Sequence, residues 1–145
     1  MNDNLHDKRV TELIVIISLI LFLNDLTIDI YPRIQDFSKE RKLSCLSILL
    51  IHHLLSAYVT FGFLYNSKKK LAMVLAINGI IYLHWKTNDG MCMLTQYVNG
   101  ECDFNDKQLF NDIWMITGLK EKKNEVVLYG LQLLIFIIIM SKLLK

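Results

Sequence analysis

The sequence predicts an all-α protein: an integral membrane four-helix bundle that runs up, down, up, down, with an interfacial amphipathic helix between helices 3 and 4. Hydrophobic residues make up 53% of the 145 residues, and the mean hydropathy is +0.35. Such a composition leaves too little polar surface to cover a soluble globule of 16.9 kDa, whereas lipid can surround the outer faces of apolar helices. The chain is treated as a single transmembrane domain. The predicted spans are residues 13–31, 43–65, 71–86 and 126–144 of residues 1–145.

The first span follows Lys8 and Arg9, and this arrangement also resembles a secretory signal peptide. Asn24, Asp25 and Leu26 come directly after its most apolar part, so the small-x-small pattern of a cleavage site is missing. We therefore expect an uncleaved anchor whose polar second half stays within the bundle.

The spans and their connections predict the arrangement of the helices. Two spans reach the ~20 residues that cross a bilayer core of about 30 Å, and the other two come close with their flanks. Residues 66–70 join the second and third spans in five residues, which makes these spans antiparallel neighbours. The termini and this connection carry seven Lys and Arg residues against nine on the opposite side, so the positive-inside rule predicts no orientation.

The long connection of residues 87–125 is predicted to contain a helix at about 105–117. Leu109, Ile113 and Trp114 share one face of this helix, and polar residues share the other. With Trp114 on the apolar side, we expect the helix to lie in the membrane interface; packing against the connection itself is the alternative. Trp85, at the end of the third span, is predicted to be a second interface anchor.

Six of the polar side chains within the predicted spans form a candidate intramembrane cluster, because a charge there costs about 3 kcal/mol unless it faces a partner or water. They are Asp25, Asp29, His52, His53, Asn78 and His84. If the first two spans form an antiparallel hairpin, Asp25 and His52 differ in depth by only about 5 Å, so a contact between them is feasible. One interpretation is a proton-handling or metal site; the other, which we favour, is hydrogen bonding between helices. No catalytic residue is assigned, and no set of metal ligands is predicted.

The chain has three cysteines. Cys92 and Cys102 lie on either side of the turn dipeptide Asn99-Gly100, and we expect a disulfide bond between them if the connection faces an oxidising lumen. A redox pair and two free thiols are the alternatives, although four-helix membrane thiol oxidoreductases use a Cys-x-x-Cys pair that this chain lacks. Cys45 is expected to be an ordinary packing residue.

A short motif in the second half of the chain resembles a known group of proteins. His84-Trp85 is followed by Cys92-Met93-Leu94-Thr95, an amphipathic segment, Gly118-Leu119 and a final span. This order is similar to small four-helix membrane proteins of unknown function, in which a Trp precedes Cys-Pro-Leu-Thr after the third span. Met93 stands where those proteins have Pro, and related patterns occur in large DNA viruses of algae and protists. The resemblance implies a fold and a membrane location but no activity.

These observations favour a multi-pass membrane protein with a structural or scaffolding role, and the resemblance implies a virion membrane or minor capsid component. Proton or ion handling by Asp25, Asp29 and His52 is the first alternative, and a small membrane enzyme is the second. The expected partners are the lipid bilayer and other membrane or capsid proteins, or further copies of the chain. We expect an integral membrane location, in a host endomembrane or the internal membrane of a virion. The net charge of +2 gives no reason to expect nucleic acid, and no cofactor is predicted.

Overall fold

A computed structural model describes residues 3–88, 93–103 and 124–145, apart from the side chains of Asp29 and of residues 124–128. The described part is helical and contains no strand, so the predicted all-α class is confirmed for these residues. A π-helical segment, Leu26–Ile30, extends the first helix, and a 3-10 turn, Gly62–Leu64, extends the second. The five α-helices of the described residues are α1 (Asp3–Asp25), α2 (Lys39–Phe61), α3 (Lys68–Thr87), α4 (Met93–Glu101) and α5 (Asn124–Leu143).

Local sequence signals define where α2 and α3 begin. The hydroxyl of Ser38 accepts a hydrogen bond from the backbone amide of Arg41, and the hydroxyl of Ser67 accepts one from the amide of Lys70. Serine at this position pairs an amide that the first turn of a helix leaves without a partner. Pro32 follows the π-helical segment closely and has no amide with which to continue the helical hydrogen bonding.

Two of the described helices are long and apolar enough to cross a membrane, Asp3–Ile28 and Lys39–Leu64. Only 17% and 28% of the residues in their most apolar stretches are buried, and the exposed ones include Ile16 and Ile20 on α1 and Leu43 and Ile51 on α2. α5 contributes a shorter apolar segment, Tyr129–Leu143. α3 carries four lysines and His84 among its 20 residues and does not meet the same criteria. By length and composition the described helices thus support two of the four predicted spans, and the four-helix membrane bundle stays a prediction.

α1 and α2 pack as an antiparallel pair. Near the start of α1, the carboxylate of Asp7 accepts a hydrogen bond from the backbone amide of Asn66, which follows α2. Near the end of α1, Asp25 lies beside His53, in the middle of α2. The connection of residues 65–67 then reverses the chain into α3, and the side-chain amide of Asn78 donates to the carbonyl of Val59 in α2. The predicted antiparallel arrangement of the second and third spans is therefore confirmed.

α3 and α5 are antiparallel as well. The ammonium group of Lys68, at the start of α3, donates to the carbonyl of Leu143 at the end of α5 over 3.3 Å. Towards the other end of these helices, the rings of Tyr82 and Tyr129 meet edge to face with their centroids 6.0 Å apart. The start of α1, the α2–α3 connection and the end of α5 therefore meet at one end of the protein. We call it the basic end, and we call the opposite end, which holds the α1–α2 connection and α4, the disulfide end.

Each end has its own apolar core. The cluster nearer the basic end contains Val10, Ile14, Ala57, Tyr65, Leu71, Val74, Ile135 and Ile139. The cluster nearer the disulfide end contains Ile30, Ile34, Cys45, Leu49, Val98 and Cys102. Because the second cluster is made by the π-helical segment, α2 and α4, it positions the polar residues described below.

A buried aspartate links α1 to the α2–α3 connection. Asp7 is only 4% exposed, and its carboxylate accepts hydrogen bonds from the backbone amides of Asn66 and Ser67 over 2.8 and 3.3 Å. The ammonium group of Lys70 lies 3.6 Å from the same carboxylate. Hydrogen bonds to a charged group are stronger than those between neutral groups. A buried carboxylate that lost them would be left without water to replace them.

We expect Asp7→Asn to destabilise the protein by about 1–3 kcal/mol, because an amide cannot accept both hydrogen bonds and balance Lys70 as the carboxylate does. The measurement is the midpoint of thermal unfolding in detergent. Glu12→Gln is the matched control, since Glu12 lies one turn further along α1 with its side chain 57% exposed and only a 3.9 Å contact to Lys8. Equal effects of the two substitutions would contradict this role of Asp7.

A glycine allows α2 and α3 to approach each other closely. A Cβ atom at Gly62 would lie 2.4 Å from a methyl carbon of Val74, which is itself fully buried. A branched side chain held in a core has no room to move away from such a contact. The 3-10 turn therefore has space for no residue larger than glycine at this point.

We expect Gly62→Ala to destabilise the protein by about 1–3 kcal/mol through overpacking against Val74. Gly79→Ala is the control, because nothing lies within 4 Å of a Cβ atom at Gly79 in the middle of α3. It should be neutral or stabilise by up to about 1 kcal/mol through the higher helix propensity of alanine. Adding Val74→Ala to Gly62→Ala should restore part of the loss, and a further loss would show that the two residues do not collide.

Candidate functional site

Asp25 and His53 form a buried carboxylate–imidazole pair between α1 and α2. A carboxylate oxygen of Asp25 lies 3.3 Å from Nε2 of His53, whose side chain is fully buried, whereas that of Asp25 is 17% exposed. The ring of Phe22 meets the imidazole edge to face, with the centroids 6.4 Å apart. The contact is an ion pair when the imidazole is protonated. Asp25 is also the last residue of α1 before the π-helical segment, and such segments often occur at functional sites.

His52 points to a different neighbour from His53. Its Nε2 lies 3.3 Å from the hydroxyl of Thr95 in α4, and only 8% of the residue is exposed. Consecutive residues of a helix point about 100° apart, so His53 faces α1 while His52 faces α4. The depths of Asp25 and His52 made a contact between them feasible, and in the structure the adjacent histidine, His53, has the orientation that reaches the aspartate.

A disulfide bond joins Cys45 of α2 to Cys102 at the end of α4, with the Cα atoms 5.1 Å apart. The sequence-based prediction of a bond between Cys92 and Cys102 is therefore wrong, as is the expectation that Cys45 only packs. Cys45 precedes His52 by seven residues, and Thr95 precedes Cys102 by seven. Seven residues are about two helical turns, so α4 lies antiparallel along α2 with both pairs in register. Cys92 lies outside the described residues.

Arg41 completes the attachment of α4 to α2. Its guanidinium group donates to the carbonyls of Gly100 and Glu101 over 3.4 and 3.3 Å, and it lies 3.6 Å from the carboxylate of Asp103. The last carbonyls of a helix have no partner within the helix, and a cation there is favourable. The same guanidinium stacks 4.0 Å from the centre of the Phe37 ring. Sequence analysis missed Arg41, because nothing local distinguishes it from a surface arginine.

The other predicted polar residues do not all join this cluster. The side-chain amide of Asn78 donates to the carbonyls of Val59 and Val74 over 3.3 and 3.1 Å, as expected for interhelical hydrogen bonding. His84 is half-buried near the end of α3, and its Nε2 has no hydrogen-bond partner among the described residues. The side chain of Asp29 and the whole of Trp114 lie outside the described part, while Trp85 is half-buried at the end of α3.

The cluster at the disulfide end therefore consists of Asp25, His52, His53 and Thr95, with the two imidazole rings 5.6 Å apart. Within residues 3–88, 93–103 and 124–145, no group of three or more His, Cys, Asp and Glu side chains is placed to hold a metal ion. The arrangement can share a proton between Asp25 and His53, and it ties three helical segments together. Asn99, one turn after Thr95, adds a buried amide without a hydrogen-bond partner in the described part.

No protein family model, no curated protein and no solved structure matches this chain.

We expect Cys45→Ser and Cys102→Ser each to abolish the mobility difference between oxidised and reduced protein on a denaturing gel, whereas Cys92→Ser keeps it. Each of the first two variants should lose about 2–4 kcal/mol of stability, because the bond closes a long loop of the unfolded chain. If reduction no longer changed the mobility of the Cys92→Ser variant, this result would support the bond between Cys92 and Cys102 that the sequence predicted.

Proposed function

We propose that the protein is a multi-pass membrane protein with a structural role, in which the apolar helices form an anchor and the disulfide end presents α4 and its flanking connection to a partner. The resemblance described above suggests a virion membrane or a host endomembrane as its location and a membrane or capsid protein as the partner.

The outward-facing apolar surface carries this proposal. Large apolar side chains cover the outer faces of three helices, and the best-exposed ones include Ile16, Ile20 and Leu23 on α1, Ile80 and Leu83 on α3, and Leu133, Leu134 and Ile137 on α5. Soluble monomers rarely leave such continuous apolar surface in water. A core helix of a soluble protein would instead be mostly buried, whereas the apolar stretches of α1 and α2 are 17% and 28% buried.

The contacts of α1 favour an anchor over a leader that is removed. Val10, Ile14 and Leu21 are all less than 10% exposed, and Asp7 holds the α2–α3 connection through its carboxylate. A leader peptide that is removed makes no such contacts with the rest of the folded protein. Removal of α1 would expose both apolar cores, so the rest of the fold depends on it.

The polar cluster at the disulfide end favours a structural role. His53 contacts Asp25, His52 contacts Thr95, and Cys45 is bonded to Cys102, so each of these contacts joins a neighbouring helix to α2. Hydrogen bonds between apolar helices hold such helices in register. The result is a rigid attachment of α4, as a scaffold that presents a segment to a partner requires.

The disulfide bond also supports an orientation. Such bonds form and persist in oxidising compartments and are rare in the cytosol. We therefore place the disulfide end on the lumenal or external side, which puts the basic end and both termini in the cytosol. The positive-inside rule alone predicted no orientation, so this proposed orientation rests on the disulfide bond.

The membrane location is tested by fractionating expressing cells. We expect the protein to stay in the membrane pellet after an alkaline carbonate wash and to leave it only with detergent. Recovery of a monodisperse protein from the wash, without detergent, would end the proposal.

The orientation is tested by glycosylation in microsomes, using Lys107→Thr, which creates an acceptor sequence at Asn105 in the connection after α4. We expect a glycan there and none on an acceptor sequence appended after Lys145. The reverse pattern would invert the orientation while leaving the membrane location intact.

Proton handling is the second candidate, because Asp25 and His53 pair a carboxylate with an imidazole inside the helical part of the protein. The scaffold role predicts that liposomes containing the protein take up protons no faster than empty ones. A faster uptake that Asp25→Asn abolishes, with Asp36→Asn as an exposed control, would replace the scaffold by this candidate.

A further inference from the structure

The two ends of the protein differ in net charge. The basic end has seven Lys and Arg residues, at positions 8, 9, 68, 69, 70, 142 and 145, and three acidic ones, at positions 3, 7 and 12, so its net charge is 7 − 3 = +4. The rest of the chain holds the other 16 − 7 = 9 basic and 14 − 3 = 11 acidic residues, a net charge of −2. The whole-chain value of +2 therefore understates the positive charge of the basic end.

Two of these lysines are held in place without losing their charge. The ammonium group of Lys142, which is half-buried, donates to the carbonyls of Phe63 and Tyr65 over 2.9 and 3.1 Å. Lys68 donates to the carbonyl of Leu143 over 3.3 Å, and Leu143 directly follows Lys142. Carbonyls fix the position of an ammonium group but leave its positive charge uncompensated, unlike the carboxylate of Asp7 beside Lys70.

Lys68 and Lys142 lie together at one corner of the basic end, and this corner keeps hydrogen-bonding capacity. An ammonium group has three donors, so Lys142 has one beyond those used by its two carbonyls, and Lys68 is exposed to the surroundings. The corner lies where apolar helices end, beside Tyr65 and the apolar segment of α5, which is the level of the headgroups if the helices cross a bilayer.

We propose that Lys68 and Lys142 at the basic end bind the phosphate of an anionic phospholipid in the adjacent leaflet. This inference rests on the membrane location proposed above. It agrees with the orientation taken from the disulfide bond, because the cytosolic leaflet is the one enriched in anionic lipids, and each basic residue near its surface adds to the attraction. The bound headgroup would join α3 and α5 beside the hydrogen bond from Lys68 to Leu143.

The test is native mass spectrometry of the full-length protein released from micelles that contain phosphatidylglycerol and phosphatidylcholine in equal amounts. We expect wild-type protein to retain phosphatidylglycerol preferentially, and Lys68→Gln to lower this preference roughly fivefold, the loss expected for one basic residue at a lipid surface. Lys39→Gln is the matched control. Lys39 and Lys68 are both exposed, and each is the first residue of a helix after a serine N-cap, but Lys39 lies at the disulfide end.

Lys142 needs a second pair of variants, because it also caps α2. Lys142→Arg keeps the charge and should retain the preference, whereas Lys142→Gln should lose it; the midpoint of thermal unfolding confirms that both are folded. If Lys142→Gln does not fold, the comparison of Lys68→Gln with Lys39→Gln decides. Equal lipid preferences in these two variants would overturn the proposal. The proposal would also be overturned if inorganic phosphate removed the bound phosphatidylglycerol as effectively as added phosphatidylglycerol does. A protein that resists carbonate extraction but shows no lipid preference would disprove this inference and leave the membrane location standing.

Discussion

The outward-facing apolar surface of α1, α3 and α5 is the constraint on which the rest of this structure depends. If this surface faces lipid, as proposed, a polar group must find its partner within the protein. The structure provides such partners between segments that are far apart in the chain. Asp7 accepts hydrogen bonds from the amides before α3, Lys142 donates to the carbonyls after α2, and Asn78 donates to a carbonyl of α2. The helices are thus joined at their ends by polar contacts and along their lengths by two apolar cores.

The long helices could be predicted from sequence because length, apolar content and cap residues are local properties. Residues 13–31, 43–65, 71–86 and 126–144 all fall largely within helices, and the short connection before α3 correctly implied an antiparallel turn. α4 was not predicted, because its nine residues are too few to form a stable helix on their own, and the helix is held by its packing on α2. The helix predicted at about 105–117 lies outside the described residues.

The candidate site could be predicted in composition but not in pairing. The polar residues inside the spans identified Asp25, His52 and His53, yet which histidine meets the aspartate depends on the rotation of α2 about its own axis. The partner of Cys102 depends on the direction in which α4 runs along α2, a property of two segments 57 residues apart. The contacts of Asp7, Lys142 and Arg41 could not be predicted, because each residue acts on the end of a helix other than its own.

The bond between Cys45 and Cys102 has a mechanical consequence. It closes a covalent ring that contains most of α2, all of α3 and all of α4. Tension applied between the two termini passes through the sulfur atoms and bypasses every residue inside the ring. A pull on either terminus can peel away α1 or α5, but α3 and α4 stay tethered as a loop of fixed length until the bond is reduced.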